Sequence, residues 1–162
     1  MPQPVHDLVA RFWPGGLTIV LPAQPSLAWD LGETKGTVAV RMPDHRIALE
    51  LLAETGPLAV SSANLTGSAA ALNAAEAEAM LGASVAVYLE NGYTENGVPS
   101  TIIDATSLAD GSPIPGVRIL REGAVTREQL AEVLGDLLEA EESTQPAAEH
   151  GTAAGEGPDG TE

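Results

Sequence analysis

The sequence contains no cysteine, and this absence excludes several kinds of site before any motif is considered. Disulfide bonds, thiolate nucleophiles and zinc sites with cysteine ligands are all ruled out. Aromatic residues are also scarce, five among 162, so the hydrophobic core has to be built from Leu, Val, Ile and Ala. Hydrophobic residues nevertheless make up 44% of the chain, which is typical of one globular domain.

Long apolar runs are missing as well. No uninterrupted run reaches the roughly 18 residues that a membrane-spanning helix needs. The first residues, Met-Pro-Gln-Pro, lack the hydrophobic segment of a signal peptide. These features predict a cytoplasmic protein with no membrane association.

Basic residues are the third scarce class, since seven Lys and Arg stand against 23 Asp and Glu, a formal net charge of -16. Residues 139–162 hold seven of the acids and contain no basic and no large apolar residue. We predict a disordered acidic tail there, because nothing could be buried to offset the roughly 1–2 kcal/mol that ordering each residue costs. The predicted domain, residues 1–138, is still acidic, so we expect no direct binding of nucleic acid.

The order of apolar and polar residues predicts alternating helices and strands. Helical spacing favours helices over 4–13, 47–54, 74–81 and 127–138. Asn73 and Thr126 are expected to cap the last two of these, and His45 to start the second. Short apolar runs favour strands at 17–21, 37–42, 58–61, 85–89, 100–104 and 117–121. This alternation indicates an α/β fold with a partly parallel sheet.

Three polar clusters beside predicted strands are candidates for ligand binding. Residues 61–67 offer hydroxyls, an amide and accessible backbone N–H groups for a carboxylate or phosphate, although many ordinary loops have this composition. Residues 98–101 place hydroxyls at the start of a strand, where they could simply satisfy backbone groups. Arg41 and Arg121 each end an apolar strand, where a guanidinium either binds a ligand anion or pairs with a neighbouring acid.

Familiar signatures of catalytic sites are absent. The sequence has no G-x-x-x-x-G-K-[ST] and no G-x-G-x-x-G, and the neighbours of Ser61 and Ser62 do not form G-x-S-x-G. The three histidines, at 6, 45 and 150, show no metal-ligand spacing. A serine hydrolase, a common nucleotide-binding loop and a histidine metal centre therefore have no support in the sequence.

Five short motifs, taken in order, are more specific than any one cluster. They are Phe12-Trp13-Pro14-Gly15 with Leu17-Thr18, Val40-Arg41-Met42-Pro43-Asp44-His45, Ser62-Ala63-Asn64, Val98-Pro99-Ser100-Thr101-Ile102-Ile103-Asp104 and Leu120-Arg121-Glu122-Gly123. Together they resemble the YrdC-like family of threonylcarbamoyl-AMP synthases, especially its actinobacterial-type members. The resemblance runs from about Val5 to Leu134.

The resemblance implies both a fold and a reaction. The fold is a twisted, mixed parallel and antiparallel open sheet with flanking helices around a wide cavity. The reaction is a nucleotidyl transfer, in which L-threonine, bicarbonate and ATP with Mg²⁺ give threonylcarbamoyl-AMP and pyrophosphate. Its product feeds the threonylcarbamoyladenosine modification of tRNA, so the tRNA-modification machinery is an expected indirect partner.

The resemblance also implies roles for six residues. Thr18, Asn64 and Arg121 are similar to the family's ATP contacts, with Arg121 near the phosphates. Three others are similar to its threonine contacts: Arg41, Ser62 and Ser100. No catalytic side chain and no protein ligand of a metal ion is assigned.

The sequence also departs from the family pattern. Family members begin with further strands and a lysine-x-arginine motif that reaches ATP, and nothing here replaces them. We therefore expect the C-terminal two-thirds of the family domain, with the first strands missing, an uncovered apolar face and poor solubility. Two other functions stay open: a non-catalytic relic that binds threonine or a nucleotide, and a carbamoyl-transfer domain of the hydrogenase-maturation type.

Overall fold

The structure is a computed structural model that describes residues 1–27, 29, 34–94, 97–109 and 112–140. The helices and strands of these residues are α1 (Gln3–Phe12), β1 (Leu17–Pro22), β2 (Thr37–Val40), α2 (Arg46–Thr55), α3 (Ala74–Leu81), β3 (Thr101–Asp104), β4 (Arg118–Arg121) and α4 (Arg127–Leu134). Short 3₁₀ turns follow at Gly82–Ser84, Thr106–Leu108 and Gly135–Leu137. None of the described helices is long and apolar enough to cross a membrane.

The strands form one sheet in the order β2-β1-β3-β4. The central pair, β1 and β3, is parallel, with Leu17 opposite Thr101, and each outer strand is antiparallel to its neighbour. This arrangement confirms the expected mixed, open α/β sheet. Because the outer strands run against the central ones, β1 and β3 start at the sheet edge where β2 and β4 end. We call this edge the polar edge, since Thr18, Ser100, Arg41 and Arg121 lie along it.

One hydrophobic core joins α1, α4 and the sheet. In α1 the buried residues recur at helical spacing, and in β1 and β3 they alternate, so each element turns one apolar face inward. The core is almost entirely aliphatic, as the composition predicts. Its buried members are Val5, Leu8, Phe12, Leu17, Ile19, Ile103, Ala105, Val117, Val125, Leu130 and Leu134.

The predicted helix starts are confirmed in detail. The Oδ1 atom of Asn73 accepts a hydrogen bond from the Glu76 N–H at 2.8 Å. Thr126 and Gln129 form a complete capping box, each side chain bonding the other's backbone N–H. His45 accepts a hydrogen bond at Nδ1 from the third amide of α2. These starts are specified by a few adjacent residues, which explains why the sequence reveals them.

The last helix ends earlier than predicted. It stops at Leu134 because Gly135 adopts φ +53°, a left-handed conformation that glycine accepts without steric cost. The chain then returns to the sheet, where Leu138 pairs with Val117 in an isolated parallel bridge. Most of the predicted acidic tail, residues 141–162, lies outside the described residues.

Two predicted strands, 58–61 and 85–89, do not form in the described structure. Their apolar residues are exposed instead, Val60 by 86% and Val87 by 68%. A strand needs a neighbour for its backbone hydrogen bonds, and no described strand pairs with either segment. The prediction of a strand from the apolar pattern was therefore wrong at both places. Strand β2 is also shorter than predicted and ends at Val40.

Candidate functional site

Ser100 lies at the middle of the polar edge, directly before β3, and is 8% exposed. Its Oγ atom is 2.9 Å from the Oγ1 atom of Thr18 on β1. The strand register explains this pair. Thr18 is opposite Ile102, and Ser100 precedes Ile102 by two residues, so both hydroxyls face the same side of the sheet. A residue assigned to ATP and one assigned to threonine are thus direct neighbours.

The guanidinium of Arg121 completes a hydrogen-bonded cluster of three side chains. Its Nη2 atom donates to the carbonyl oxygen of Ser100 at 2.7 Å and to the Ser100 hydroxyl at 3.1 Å. Its Nε atom donates to the same carbonyl oxygen at 3.2 Å. Within the described part of the chain, Nη1 has no hydrogen-bond partner, so two N–H groups remain for a ligand. We call Thr18, Ser100 and Arg121 the cluster.

A close backbone approach holds Arg121 over the start of β3. A Cβ atom on Gly123 would lie 2.2 Å from the carbonyl oxygen of Pro99, so only glycine fits there. The next residue, Ala124, donates its N–H to that same carbonyl at 2.9 Å. The chain leaving β4 therefore packs directly on the segment that carries Ser100.

Buried Thr101 provides a second attachment between these segments. Its Oγ1 atom donates to the carbonyl oxygen of Val125 at 2.6 Å and accepts from the Val125 N–H at 2.9 Å. Its own N–H donates to the carbonyl of Gly16 at 2.9 Å, which ties β3 to the turn before β1. Thr101 touches no proposed ligand position; it positions the residues on either side of it.

Arg41 lies at the same edge, one residue beyond β2. Its Nε atom donates to the carbonyl of Gly15 at 2.8 Å, and the Gly15 N–H donates to the carbonyl of Met42 at 2.8 Å. This reciprocal pair fixes the end of β2 against the turn before β1. The two Nη atoms have no partner among the described residues, and the side chain is exposed.

Neither arginine of the polar edge pairs with a carboxylate among the described residues. Ion pairs among the described residues join Arg46 to Glu50 and Arg118 to Asp104. Acids outnumber bases more than threefold in this chain, so pairing with a neighbouring acid was the alternative to ligand binding at both arginines. Arg41 and Arg121 instead bond backbone carbonyls, which fixes their guanidinium groups without neutralising the charge. This arrangement favours binding of a ligand anion.

Ser62 and Asn64 lie in the loop between α2 and α3, and no hydrogen bond links them to the cluster within the described residues. The Asn64 Nδ2 atom donates to the carbonyls of Leu65 at 2.9 Å and Ser68 at 3.0 Å, so it shapes its own loop. Its Oδ1 atom is buried without a partner. The Ser62 side chain is exposed. The structure thus assembles four of the six predicted residues at one edge, and among the described residues no hydrogen bond joins Ser62 or Asn64 to them.

Sequence reasoning missed the residues that position the cluster, chiefly Thr101 and Gly123. Thr101 was read together with Ser100 as a hydroxyl pair, although strand alternation puts the two side chains on opposite faces. That alternation was the available signal. Gly123 lies two residues after Arg121, the last residue of β4, and nothing in the sequence indicates the backbone that it packs against.

The donor set of the cluster suits an anion. Two hydroxyls and a guanidinium provide N–H and O–H groups, whereas a hard divalent cation prefers carboxylate and carbonyl oxygens. Among the described residues, no group of three or more His, Asp or Glu side chains could hold a metal ion. The residues at the cluster therefore fit an anionic group, such as a phosphate or a carboxylate, better than a metal ion held by the protein.

Comparison with known proteins identifies the family. The Sua5/YciO/YrdC model, described as telomere recombination, matches residues 1–123. The chain belongs to this family. A Mycobacterium tuberculosis protein, provisionally named threonylcarbamoyl-AMP synthase, is 47% identical over 135 residues, which are 83% of this chain. The threonylcarbamoyl-AMP synthase of Bacillus subtilis is 40% identical over 139 residues, 84% of the chain.

A solved structure of this family agrees with the fold. Sua5 of Pyrococcus abyssi, crystallised in complex with L-threonine, superimposes with a TM-score of 0.74 at 33% identity and covers 85% of this chain. The chain spans only part of each relative: 59% of the M. tuberculosis protein, 38% of the B. subtilis protein and 39% of the P. abyssi chain. The resemblance found in the sequence is thus confirmed for family and fold.

Proposed function

We propose that this Sua5/YciO/YrdC-family chain carries the ATP- and threonine-binding edge of a threonylcarbamoyl-AMP synthase. The observation that supports it most is the cluster, in which Arg121 is fixed on Ser100, itself bonded to Thr18, while the charge of Arg121 is left unpaired by any described acid. The names of the mycobacterial and Bacillus relatives and the L-threonine complex of the P. abyssi relative point to the same reaction.

The proposed reaction has to bring two anions together. The amine of L-threonine takes up bicarbonate with loss of water and gives an N-carboxylate. An oxygen of that carboxylate then bonds to the α-phosphorus of ATP, the bond to the β-phosphate oxygen breaks, and pyrophosphate leaves. No protein nucleophile is needed, so positioning and charge stabilisation carry the step.

Arg121 is suited to this task because its orientation is already set. Three hydrogen bonds to Ser100 hold the guanidinium, and the Nη1 N–H groups remain to meet phosphate oxygens. A donor fixed before the reaction needs no reorganisation as charge moves. Each charged hydrogen bond contributes roughly 1.5–3 kcal/mol.

We assign the binding of L-threonine to Arg41 and Ser100, and we assign Thr18 to the binding of ATP. Arg41 keeps both Nη groups for a carboxylate, and the Ser100 hydroxyl lies between Arg121 and Thr18. Ser62 and Asn64 stay in the proposal on the family resemblance alone. Mg²⁺ is proposed to enter bound to the ATP phosphates, where it would offset their charge. The proposal keeps a cytoplasmic location and an indirect link to tRNA modification.

Pyrophosphate release from ATP by this chain, with and without L-threonine and bicarbonate, tests the function. A form extended by the part of the M. tuberculosis relative that this chain does not match serves as comparison. Release that needs both co-substrates, in either form, is the expected result. Threonine binding without release by either form would favour the binding relic, and bicarbonate- or carbamoyl-dependent turnover that ignores threonine would favour a carbamoyl-transfer domain.

A further inference from the structure

Residues 57–94 carry two of the six candidate ligand residues, Ser62 and Asn64, and few contacts attach them to the rest of the domain. Helix α3, which lies within this segment, buries only Ala77. Among the described residues, one hydrogen bond joins residues 57–94 to the remainder of the chain, and no ion pair does so. That bond connects the side chains of His45 and Asn91. The placement of the segment therefore depends strongly on this pair.

The imidazole ring of His45 is held at both of its nitrogen atoms. Nδ1 accepts a hydrogen bond from the Ala48 N–H at 3.2 Å and so caps α2. Nε2 lies 2.8 Å from the Nδ2 atom of Asn91. A neutral ring that accepts at Nδ1 carries its proton at Nε2, so it faces Asn91 as a donor. A half-turn of the Asn91 amide places its oxygen at this position, and the hydrogen bond then runs from Nε2–H to that oxygen.

His45 is connected to the polar edge through the short segment that follows β2. It lies four residues after Arg41. Between the two, the carbonyl of Met42 accepts from the Gly15 N–H at 2.8 Å, and the Arg41 side chain donates to the Gly15 carbonyl at the same distance. The ring that faces Asn91 is thus attached to the turn from which β1 and Thr18 begin.

Asn91 belongs to a loop that is bonded to the start of α3. The preceding residue, Glu90, accepts at Oε2 from the Ala74 N–H at 3.2 Å. Further along the loop, the Thr94 N–H donates to the carbonyl of Leu72 at 2.7 Å. These two bonds fix the loop of Asn91 to the residues on either side of the α3 N-cap.

The chain directly before α3 is bonded in turn to the loop that carries Ser62 and Asn64. The Ala71 N–H donates to the carbonyl of Ala63 at 3.1 Å, which closes this loop beside Asn64. A continuous series of hydrogen bonds therefore leads from the polar edge through the His45–Asn91 pair to the two candidate ligand residues that lie outside that edge.

We propose that His45 and Asn91 are positioning residues, which place the loop of Ser62 and Asn64 relative to the polar edge for ligand binding. For the identity of the ligand, ATP, this inference rests on the proposed function. Neither residue has to touch the ligand. Positioning of this kind matters because a displacement of roughly 1 Å in a site can cost about 10²-fold in rate.

A distance measurement between two spin labels tests the geometry without any ligand. The chain has no cysteine, so labels attach only where one is introduced. Ser68→Cys labels the loop and Glu132→Cys labels α4, and both positions are exposed. Electron paramagnetic resonance should give a narrow distance distribution, and Asn91→Ala or His45→Asn should widen it at least twofold. The side chain introduced by His45→Asn still caps α2 but is too short to reach Asn91, so this variant separates the two roles of His45.

Calorimetric titration with ATP connects the geometry to binding. We expect Asn91→Ala to weaken ATP binding at least threefold and Asn91→Asp to stay within twofold, because a carboxylate still accepts from Nε2–H. Tyr88→Phe is the matched control, since the Tyr88 hydroxyl bonds the Gly82 carbonyl within the same segment at 2.7 Å, and its affinity should be unchanged. In an Asn64→Ala background, Asn91→Ala should have no further effect, because the pair acts through Asn64.

Three results would overturn the inference. The first is an unchanged distance distribution in both Asn91→Ala and His45→Asn. The second is an equal loss of ATP affinity in Tyr88→Phe. The third is a full effect of Asn91→Ala in the Asn64→Ala background. If the unaltered chain binds no ATP, that result contradicts the proposed function instead, and the distance measurement alone then decides whether the pair positions the loop.

Discussion

Arg121 donates its Nη2 atom to both the carbonyl and the hydroxyl oxygen of Ser100, at 2.7 and 3.1 Å. The two residues lie 21 positions apart, and the close packing of Gly123 on Pro99 brings them together. The guanidinium is thus held by neutral oxygens, which orient it without cancelling its charge. In a chain this acidic, such a cation is best explained by a ligand anion.

Replacing Arg121 by lysine tests whether its planar geometry is needed. Lysine keeps the charge but lacks the planar, fixed set of donors that lets one guanidinium bond Ser100 on one side and a phosphate on the other. We expect Arg121→Lys to weaken ATP binding at least tenfold by isothermal titration. Arg118→Lys is the control, since Arg118 lies on the same strand but pairs with Asp104 at 3.5 Å. Equal losses in both variants would mean that net charge, not the cluster, controls binding.

The hydroxyl of Thr18 is expected to matter through its 2.9 Å contact with Ser100. Thr18→Val removes that partner while keeping the shape of the side chain, and a neutral hydrogen bond contributes about 0.5–1.5 kcal/mol. We expect ligand binding to weaken about three- to tenfold. Thr18→Ser should keep the affinity near that of the unaltered chain. Loss of affinity in the serine variant but not the valine variant would contradict the assignment.

Thr101 should contribute to stability and not to ligand contacts. Thr101→Val leaves the N–H and carbonyl of buried Val125 without their partner, at a cost of about 1–3 kcal/mol. Urea denaturation followed by circular dichroism measures this loss in the free energy of unfolding. Thr101→Ser retains the hydroxyl and should recover most of it. An unchanged midpoint in the valine variant would show that the two hydrogen bonds contribute little.

Gly16 and Ala124 form a packing pair that a double-mutant cycle can test. A Cβ atom on Gly16 would lie 2.5 Å from the Cβ atom of Ala124, so Gly16→Ala should destabilise the fold by about 1–3 kcal/mol. Adding Ala124→Gly removes the clash and should restore part of the loss. Strictly additive effects would show that the two positions do not interact.

Local features of the fold could be predicted, because adjacent residues specify them. The caps at Asn73 and Thr126 each depend on residues three positions apart, and both are present. The α/β class and a partly parallel sheet followed from the alternation of elements, and the mixed sheet from the family resemblance. The predictions of strands at 58–61 and 85–89 were wrong, because a strand depends on a distant neighbour and no described strand pairs with these segments.

The family resemblance named four residues that the fold brings to one edge, but it did not predict their geometry. The family motifs pointed to Thr18, Arg41, Ser100 and Arg121, and the strand order places all four at one edge. The contact between Thr18 and Ser100 spans 82 positions and depends on the parallel register of β1 and β3, which no local pattern encodes. The supporting role of Gly123 depends on a backbone approach that only the folded chain reveals.

Binding of L-threonine to this chain tests the central claim most directly. Amide resonances are followed by NMR during titration with L-threonine and, separately, with L-valine, which has nearly the same shape but no hydroxyl. The account predicts saturable shifts at Arg41 and Ser100 with L-threonine, and at least tenfold weaker binding of L-valine, because a site with hydroxyl partners rejects the apolar analogue. Equal affinity for both amino acids, or shifts confined to residues away from the polar edge, would contradict it.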